Sequence, residues 1–407
     1  MLDITRLIRR SGEVLTGVDR VELAYLRHLV ADTGIPFFTL ARTTYGYVLL
    51  DRDGADAVLA RITGAHDWGA ADRLSRVARK LSPMQKRAQS DLRRHAITRC
   101  RPHRLQRMLT RALPRGLQYF NTGHSNLTDR VLHALRHGPR AQINVLIHDA
   151  IPLDYPQYTR PEAVLRFAAL LRRIGAYADR VIYNSQDTRT RVEAHLAKVA
   201  PPPASIVAHL GVESIPGAPL PDVLNRLSAD EKPFFMILGT IEPRKNHAFL
   251  LDIWDRMRAE MPACDVPHLL ICGKRGWQNE AVFARLDALP ADAPIHELHD
   301  LTDGQIVTLL SRARALLFPS FAEGYGLPAV EAAQVGCPIV AAPLPVFTEV
   351  LGGLPVYAEV NDGYHWQKII MGLAKGKRAS GAKDEGIPSR FIAPDWDTHF
   401  NAVLRMA

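Results

Sequence analysis

Residues 317–340, LFPSFAEGYGLPAVEAAQVGCPIV, read as strand, glycine loop, helix and strand, with two carboxylates, Glu323 and Glu331, held inside one corner. Ala315 to Phe318 is an apolar run of strand length, Gly324 and Gly326 punctuate a loop, and Pro328 suits the first turn of a helix that then carries Glu331. Glycines let a backbone approach a ligand closely, and the amides of a helix N-terminus attract oxygen atoms. A polar, anionic ligand fits such a corner. The blander alternative is a turn whose Glu331 only offsets the positive end of the helix.

Outward from this stretch, strands and helices alternate on both sides. Upstream, PFFMILGTIEPRKNHAFLLDIW (233–254) reads as a strand ending at Gly239, then Arg244 and Lys245 just before a helix with Leu250, Leu251 and Trp254 on one face. Two cations beside a helix N-terminus suit a diphosphate, although the lysine lacks the context of a P-loop. HLLICGKRGW (268–277) supplies the next strand and turn, with Gly273 at its end. Residues 214–232, proline-rich and without periodicity, divide this half from another α/β series.

The earlier series starts with an expected strand over residues 1–8, then Gly12 and Gly17 lead into a helix with Val18, Val21, Tyr25 and Leu29 at helical spacing, and strands are expected next at Phe37 to Leu40 and Tyr47 to Asp51. It lacks G-x-G-x-x-G, so no dinucleotide fingerprint is present. Ile143 to Ile147 forms a strand that ends in His148-Asp149, and a strand end is where α/β folds put ligands. Asp51-Arg52-Asp53 has the form of a D-x-D metal motif but reads more simply as a turn and helix cap.

The chain has 407 residues, enough for two domains, and no run of 18 apolar residues. Its charged N-terminus is unlike a signal peptide, so the expectation is a cytoplasmic protein. Cys100, Cys264, Cys272 and Cys337 show no metal-binding spacing, and neither a metal nor a cofactor is expected. The net charge of +9 is concentrated in residues 73–115, which hold fourteen Lys or Arg and one acidic residue, Asp91. Helix is expected there to Pro102, broken at Pro83, and again to about Leu113. Such a segment attracts phosphates, and it lacks aromatic residues for stacking bases, which argues against nucleic acid.

EGYGLPAVE resembles the E-x7-E signature of retaining glycosyltransferases of family 4, which have the GT-B fold of two Rossmann-like domains facing a cleft. G-T-x-E-P-R-K-N at 239–246 resembles that family's donor site, and H-D-x6-P at 148–156 and IVAHLGVES at 206–214 resemble other segments of it. The resemblance implies a first domain over 1–213 that binds acceptor, a linker at 214–232, a nucleotide-sugar domain over 233–392 and a helix at 393–407 that crosses back. It implies catalytic roles for His148 and Glu323, both near the transferred sugar. Gly17, Gly239, Arg244, Lys245, Gly273, Tyr325, Gly326, Leu327 and Glu331 would bind the donor, the two cations gripping the diphosphate and Glu331 the ribose.

The implied activity is metal-independent transfer of a hexose from a nucleoside diphosphate sugar to a saccharide or lipid-linked saccharide acceptor. Likeness of LGTIEPRKN and CGKRGW to bacterial mannosyl- and rhamnosyltransferases of surface-polysaccharide assembly favours mannose or a 6-deoxyhexose, with GDP as nucleotide. Residues 73–115 would rest on the anionic inner face of a membrane. The alternative is a non-catalytic interaction or nucleic-acid-binding protein on a transferase-like fold.

Overall fold

The computed structural model describes residues 1–222, 224–225, 232–376 and 391–404. Among these, fourteen strands form two sheets. The first sheet comprises β1 (Leu2–Asp3), β2 (Thr39–Thr43), β3 (Gly46–Leu50), β4 (Thr98–Cys100), β5 (Gln118–Asn121), β6 (Gln142–Ile147), β7 (Arg180–Tyr183) and β8 (Ala204–Val207), in the order β4-β3-β2-β1-β5-β6-β7-β8. It is parallel except where β3 and β4 add antiparallel at one edge. The second comprises β9 (Phe234–Leu238), β10 (His268–Cys272), β11 (Ile295–Leu298), β12 (Leu316–Phe318), β13 (Ile339–Ala341) and β14 (Val356–Tyr357), all parallel, in the order β11-β10-β9-β12-β13-β14.

Parallel strands covered on both faces require continuous apolar runs rather than alternation, and FFMIL of β9 is buried at every position. The order of the second sheet reverses between β9 and β12, so the loops leaving these two strands open side by side at a crevice. These are the loops that carry Arg244-Lys245 and Glu323.

The helix Trp396–Leu404 returns to the helix Gly17–Ala31 of the first series. His399 Nε2 meets Tyr25 Oη at 2.8 Å, and the Phe400 ring stacks on His28 at 3.8 Å. The expected crossing-back helix is therefore present over its described part; residues 405–407 lie outside the described residues. So do residues 223 and 226–231 of the expected linker and 377–390 of the donor domain.

Three expectations need correction. The first strand is only Leu2–Asp3, because the Asp3 carboxylate accepts the Thr5 amide at 3.0 Å and turns the chain into the helix Thr5–Arg9. The strands expected at 37–40 and 47–51 lie at Thr39–Thr43 and Gly46–Leu50, as one hairpin.

The third concerns the basic segment, which is not two long helices. It holds helices Arg73–Arg76, Pro83–Arg94 and Leu105–Ala112, and Thr98–Cys100 is recruited as the edge strand beside β3. Three of its cations are engaged by the protein itself: Arg93 grips Asp72 at 2.7 Å, Arg94 pairs with Asp91, and Arg87 donates to the carbonyls of Trp68 and Gly69. Asp51 caps the helix Arg52–Ile62 by accepting the Gly54 amide at 3.0 Å, as the turn-and-cap reading expects. No described helix is long and apolar enough to cross a membrane.

Candidate active site

The loop after β9 makes a short turn, Pro243–Lys245, and the loop after β12 lies against it, with the Phe321 amide donating to Arg244 O at 2.8 Å. This contact brings two cations onto one carboxylate. Arg244 Nη1 lies 2.8 Å from Glu323 Oε2 and Lys245 Nζ lies 2.7 Å from Glu323 Oε1, while Arg244 Nε reaches Glu242 at 2.6 Å. Lys245 Nζ also sits 4.3 Å from the centre of the Phe318 ring. The Lys245 and Glu323 side chains are 6% and 5% exposed, so the pair is largely desolvated.

Burial alone pushes the Glu323 carboxyl up, but the Arg244 and Lys245 cations outweigh it and hold the group down at about 2. Burial lowers Lys245, opposed by Glu323. Glu242 is raised by burial, against the pull of Arg244 and Lys245. The corner therefore presents a buried lysine and a partly buried arginine, both held by carboxylates, a pair of cations whose chemistry suits phosphate oxygens.

Glycine is required where these loops converge. A Cβ on Gly273 would lie 1.9 Å from the Gly239 carbonyl oxygen, so β10 can leave the sheet beside β9 only with glycine there. Gly326 has φ +84°, and a Cβ on it would lie 2.4 Å from the Phe347 ring. It starts the helix Leu327–Gln334, in whose first turn the Ala329 amide donates to Gly326 O at 2.8 Å. The Tyr325 ring is buried and its hydroxyl donates to Leu210 O at 3.1 Å, so it is the main chain of this loop that can meet a ligand.

The first sheet faces this corner closely. A Cβ on Gly324 would lie 2.7 Å from His148 O, and one on Gly17 would lie 3.4 Å from Leu327 Cδ1. His148 is buried, and burial, with His124 and Arg6 adding to it, lowers its pKa to about 3. Its Nε2 is 2.6 Å from Thr122 O, an atom that can only accept, so Nε2 carries the proton and Nδ1 is left as an acceptor for a hydroxyl. His148 is not paired with Asp149, which instead accepts the Ile151 amide at 3.0 Å. A small cleft between the sheets is lined by Asp149, Tyr155, Arg191, Glu323 and Pro345, among others.

Several buried polar atoms here have no partner among the described residues: Glu242 Oε2, both ring nitrogens of His247, Trp277 Nε1 and Asn279 Nδ2 on the loops after β9 and β10, and Asn121 Oδ1 and Thr122 Oγ1 at the end of β5. Each unmade bond costs about 1–3 kcal/mol, so their gathering at the strand ends marks where a polar ligand would satisfy them.

The structure thus brings together Arg244, Lys245, Glu323, Gly239, Gly273, Gly326 and His148. Glu331 stands apart from that cluster and pairs with Arg20 across the cleft at 2.6 Å. Sequence reasoning missed Arg20, Glu242 and Asp149 as participants. Glu242 stood inside the quoted G-T-x-E-P-R-K-N string and was available to be read; nothing in the sequence pointed to Arg20. Among the described residues, no three His, Cys, Asp or Glu side chains gather as a metal-binding group.

Residues 225–354 match the family model described as glycosyl transferases group 1. Residues amounting to 50% of the chain are 33% identical to 26% of the serotype-specific mannosyltransferase WbdA of Escherichia coli, and 34% of the chain is 32% identical to 36% of the O-antigen chain mannosyltransferase B of the same organism. The chain thus spans between a quarter and two fifths of these relatives. Among solved structures, trehalose-6-phosphate from E. coli bound with UDP-2-fluoro glucose superposes over 92% of each chain with a TM-score of 0.57 at 12% identity. Anabaena Alr3699/HepE in complex with UDP and glucose covers 67% of this chain and 71% of its own, with a TM-score of 0.53 at 15% identity. At these identities the likeness concerns the fold, which is GT-B.

Proposed function

We propose that this chain is a glycosyl transferase of group 1, a retaining mannosyl- or 6-deoxyhexosyltransferase that draws on a nucleoside diphosphate sugar, GDP-linked by preference, in polysaccharide synthesis. The observation that carries the reading is the pair of desolvated cations, Arg244 and Lys245, on Glu323 at the reversal point of the second sheet. The mannosyltransferase relatives support the sugar. Residues 1–213 are then the acceptor domain and 233–392 the donor domain.

As the glycosidic bond breaks, Arg244 and Lys245 take up the charge developing on the diphosphate, while Glu323 and His148 position the sugar. Protein cations and helix amides do here what a divalent ion does at other diphosphate sites. Purified protein with a saccharide acceptor should therefore turn over GDP-mannose or a GDP-6-deoxyhexose in excess chelator. Turnover of UDP-sugars alone would remove the GDP preference; activity that chelator abolishes and magnesium restores would overturn metal independence; hydrolysis or transfer of no nucleotide sugar would overturn the reading itself.

The acceptor is a saccharide or lipid-linked saccharide, and the exposed part of the basic segment suits an anionic membrane on which a lipid-linked one would lie. Arg73, Arg76, Arg79 and Lys80 are exposed around Leu74 and Val77, which are 45% and 67% exposed. Arg99, Arg101, Arg104, Arg107, Arg111 and Arg115 are exposed as well. Each cation near an anionic surface contributes about 1 kcal/mol. At low salt the protein should float with anionic vesicles, and reversing Arg73, Arg76, Arg79 and Lys80 together with Arg101 and Arg104 to Glu should leave it in the soluble fraction. Arg93 and Arg94 are left out because they hold Asp72 and Asp91. Wild-type protein that ignores the vesicles, or reversed protein that still floats, sinks the membrane reading.

A further inference from the structure

We propose that Arg20 is a positioning residue of the donor site, reaching from the first sheet's helix to hold one oxygen of Glu331 so that the other meets the nucleoside ribose as an ionised carboxylate. The proposal rests on the reading of Glu331 as the ribose-binding residue.

Arg20 lies in the first turn of the helix Gly17–Ala31, and that turn is rigidly set. The Asp19 carboxylate accepts the Thr16 amide at 2.7 Å and is gripped by Arg6 at 2.6 Å and Arg10 at 2.7 Å. From this fixed start, Arg20 Nη1 crosses the cleft to Glu331 Oε1 at 2.6 Å. Gly17 and Leu327 meet beside it, so the two helix starts approach each other at this point. The ion pair runs through Oε1, and a carboxylate accepts through both oxygens, so Oε2 can accept from a ribose hydroxyl.

The charged groups around Glu331 make the pairing consequential. Burial pushes its carboxyl up, Arg20 pulls it down, and Asp303, at the start of the helix Asp303–Arg312, pushes it up again. Glu349, on the helix Pro345–Leu351 packed against the same element, is turned away to the amides of Gln186 and Asp187 and to His209. The strands beneath, Leu316–Phe318 and Ile339–Ala341, bring no charge. Without Arg20, burial and Asp303 act unopposed, the carboxyl holds its proton to higher pH, and a protonated carboxyl has one oxygen fewer for a ribose hydroxyl. Because Arg20 and Glu331 belong to different sheets, the contact also makes the ribose site complete only when the two sheets stand together.

The test is the pH profile of nucleotide binding, measured calorimetrically between pH 5.5 and 8.5 with GDP and UDP as probes, on wild type, Arg20→Ala, Arg20→Lys and Glu331→Gln, each checked for a native melting curve. Arg20→Ala should bind about tenfold more weakly at the acid end and approach wild type at the alkaline end, because Glu331 ionises at higher pH in that variant. Arg20→Lys should restore part of the acid-side affinity, and Glu331→Gln should bind weakly throughout. Parallel profiles for wild type and Arg20→Ala, or unchanged affinity, overturn the role of Arg20 while Glu331→Gln remains weak. If Glu331→Gln binds like wild type, or neither nucleotide binds wild type, it is the ribose reading that has failed, and the proposal falls with it.

Discussion

Replacing Lys245 with Met should lower turnover by about 10²–10³-fold and leave a folded protein, since a preorganised charge that meets the transition state is worth that much in a desolvated site. Lys245 is buried to 6% exposure of its side chain and is held by Glu323 at 2.7 Å, so it needs no reorganisation as the diphosphate departs. In the single variant Glu323 keeps Arg244 at 2.8 Å and remains compensated. The double variant Arg244→Ala, Lys245→Ala is a different case. It strips both cations from a carboxylate that is 5% exposed, and an uncompensated buried charge costs about 3–5 kcal/mol. Its melting midpoint should fall clearly, which makes it the wrong variant for testing catalysis. Turnover of Lys245→Met within a few-fold of wild type would remove the leaving-group role, and an unchanged midpoint in the double variant would show that Glu323 is not dependent on its two partners.

The second sheet and its loops were legible in the sequence because their constraints are local. Gly239, Arg244, Lys245, Glu323 and Gly326 stand at strand ends and helix starts of one domain, where apolar runs, glycines and proline mark the boundaries directly. What it could not carry depends on pairing between distant parts. Arg20 looks like any cation on the polar side of an amphipathic helix until Glu331 is brought to 2.6 Å. The Tyr325 ring, flanked by two motif glycines, is claimed by the Leu210 carbonyl more than a hundred residues away. Thr98–Cys100 follows a helix in a run of arginines and becomes a strand only because β3 offers an open edge. Tertiary context overrides local preference in such short segments.

Glu323→Gln should divide catalysis from binding: turnover should fall about 10²-fold or more while free nucleoside diphosphate binds more tightly than to wild type. Both oxygens of Glu323 occupy the cations a diphosphate needs, at 2.7 and 2.8 Å, so incoming phosphates compete with an internal anion. A neutral amide ends that competition, and about tenfold tighter binding would correspond to about 1.4 kcal/mol. The same change leaves Lys245 without its carboxylate and Arg244 with Glu242 alone, so the variant should melt earlier, and adding the nucleotide should raise its midpoint by more than it raises wild type's. Acid sensitivity should move in a consistent direction. The Glu323 carboxyl is held at about 2, below its ordinary 4.5, so its ion pairs stabilise wild type fully above about 4.5 and are lost only as the pH falls toward 2. The amide variant has no such term to lose. Turnover is lost for a separate reason, because a carboxylate beside the sugar offsets the positive charge that develops as the glycosidic bond opens, and glutamine does not. Nucleotide bound more weakly by Glu323→Gln than by wild type would mean that Glu323 helps to hold the donor and does not compete with it, and the assignment of the two glutamates to separate tasks would then have to be given up.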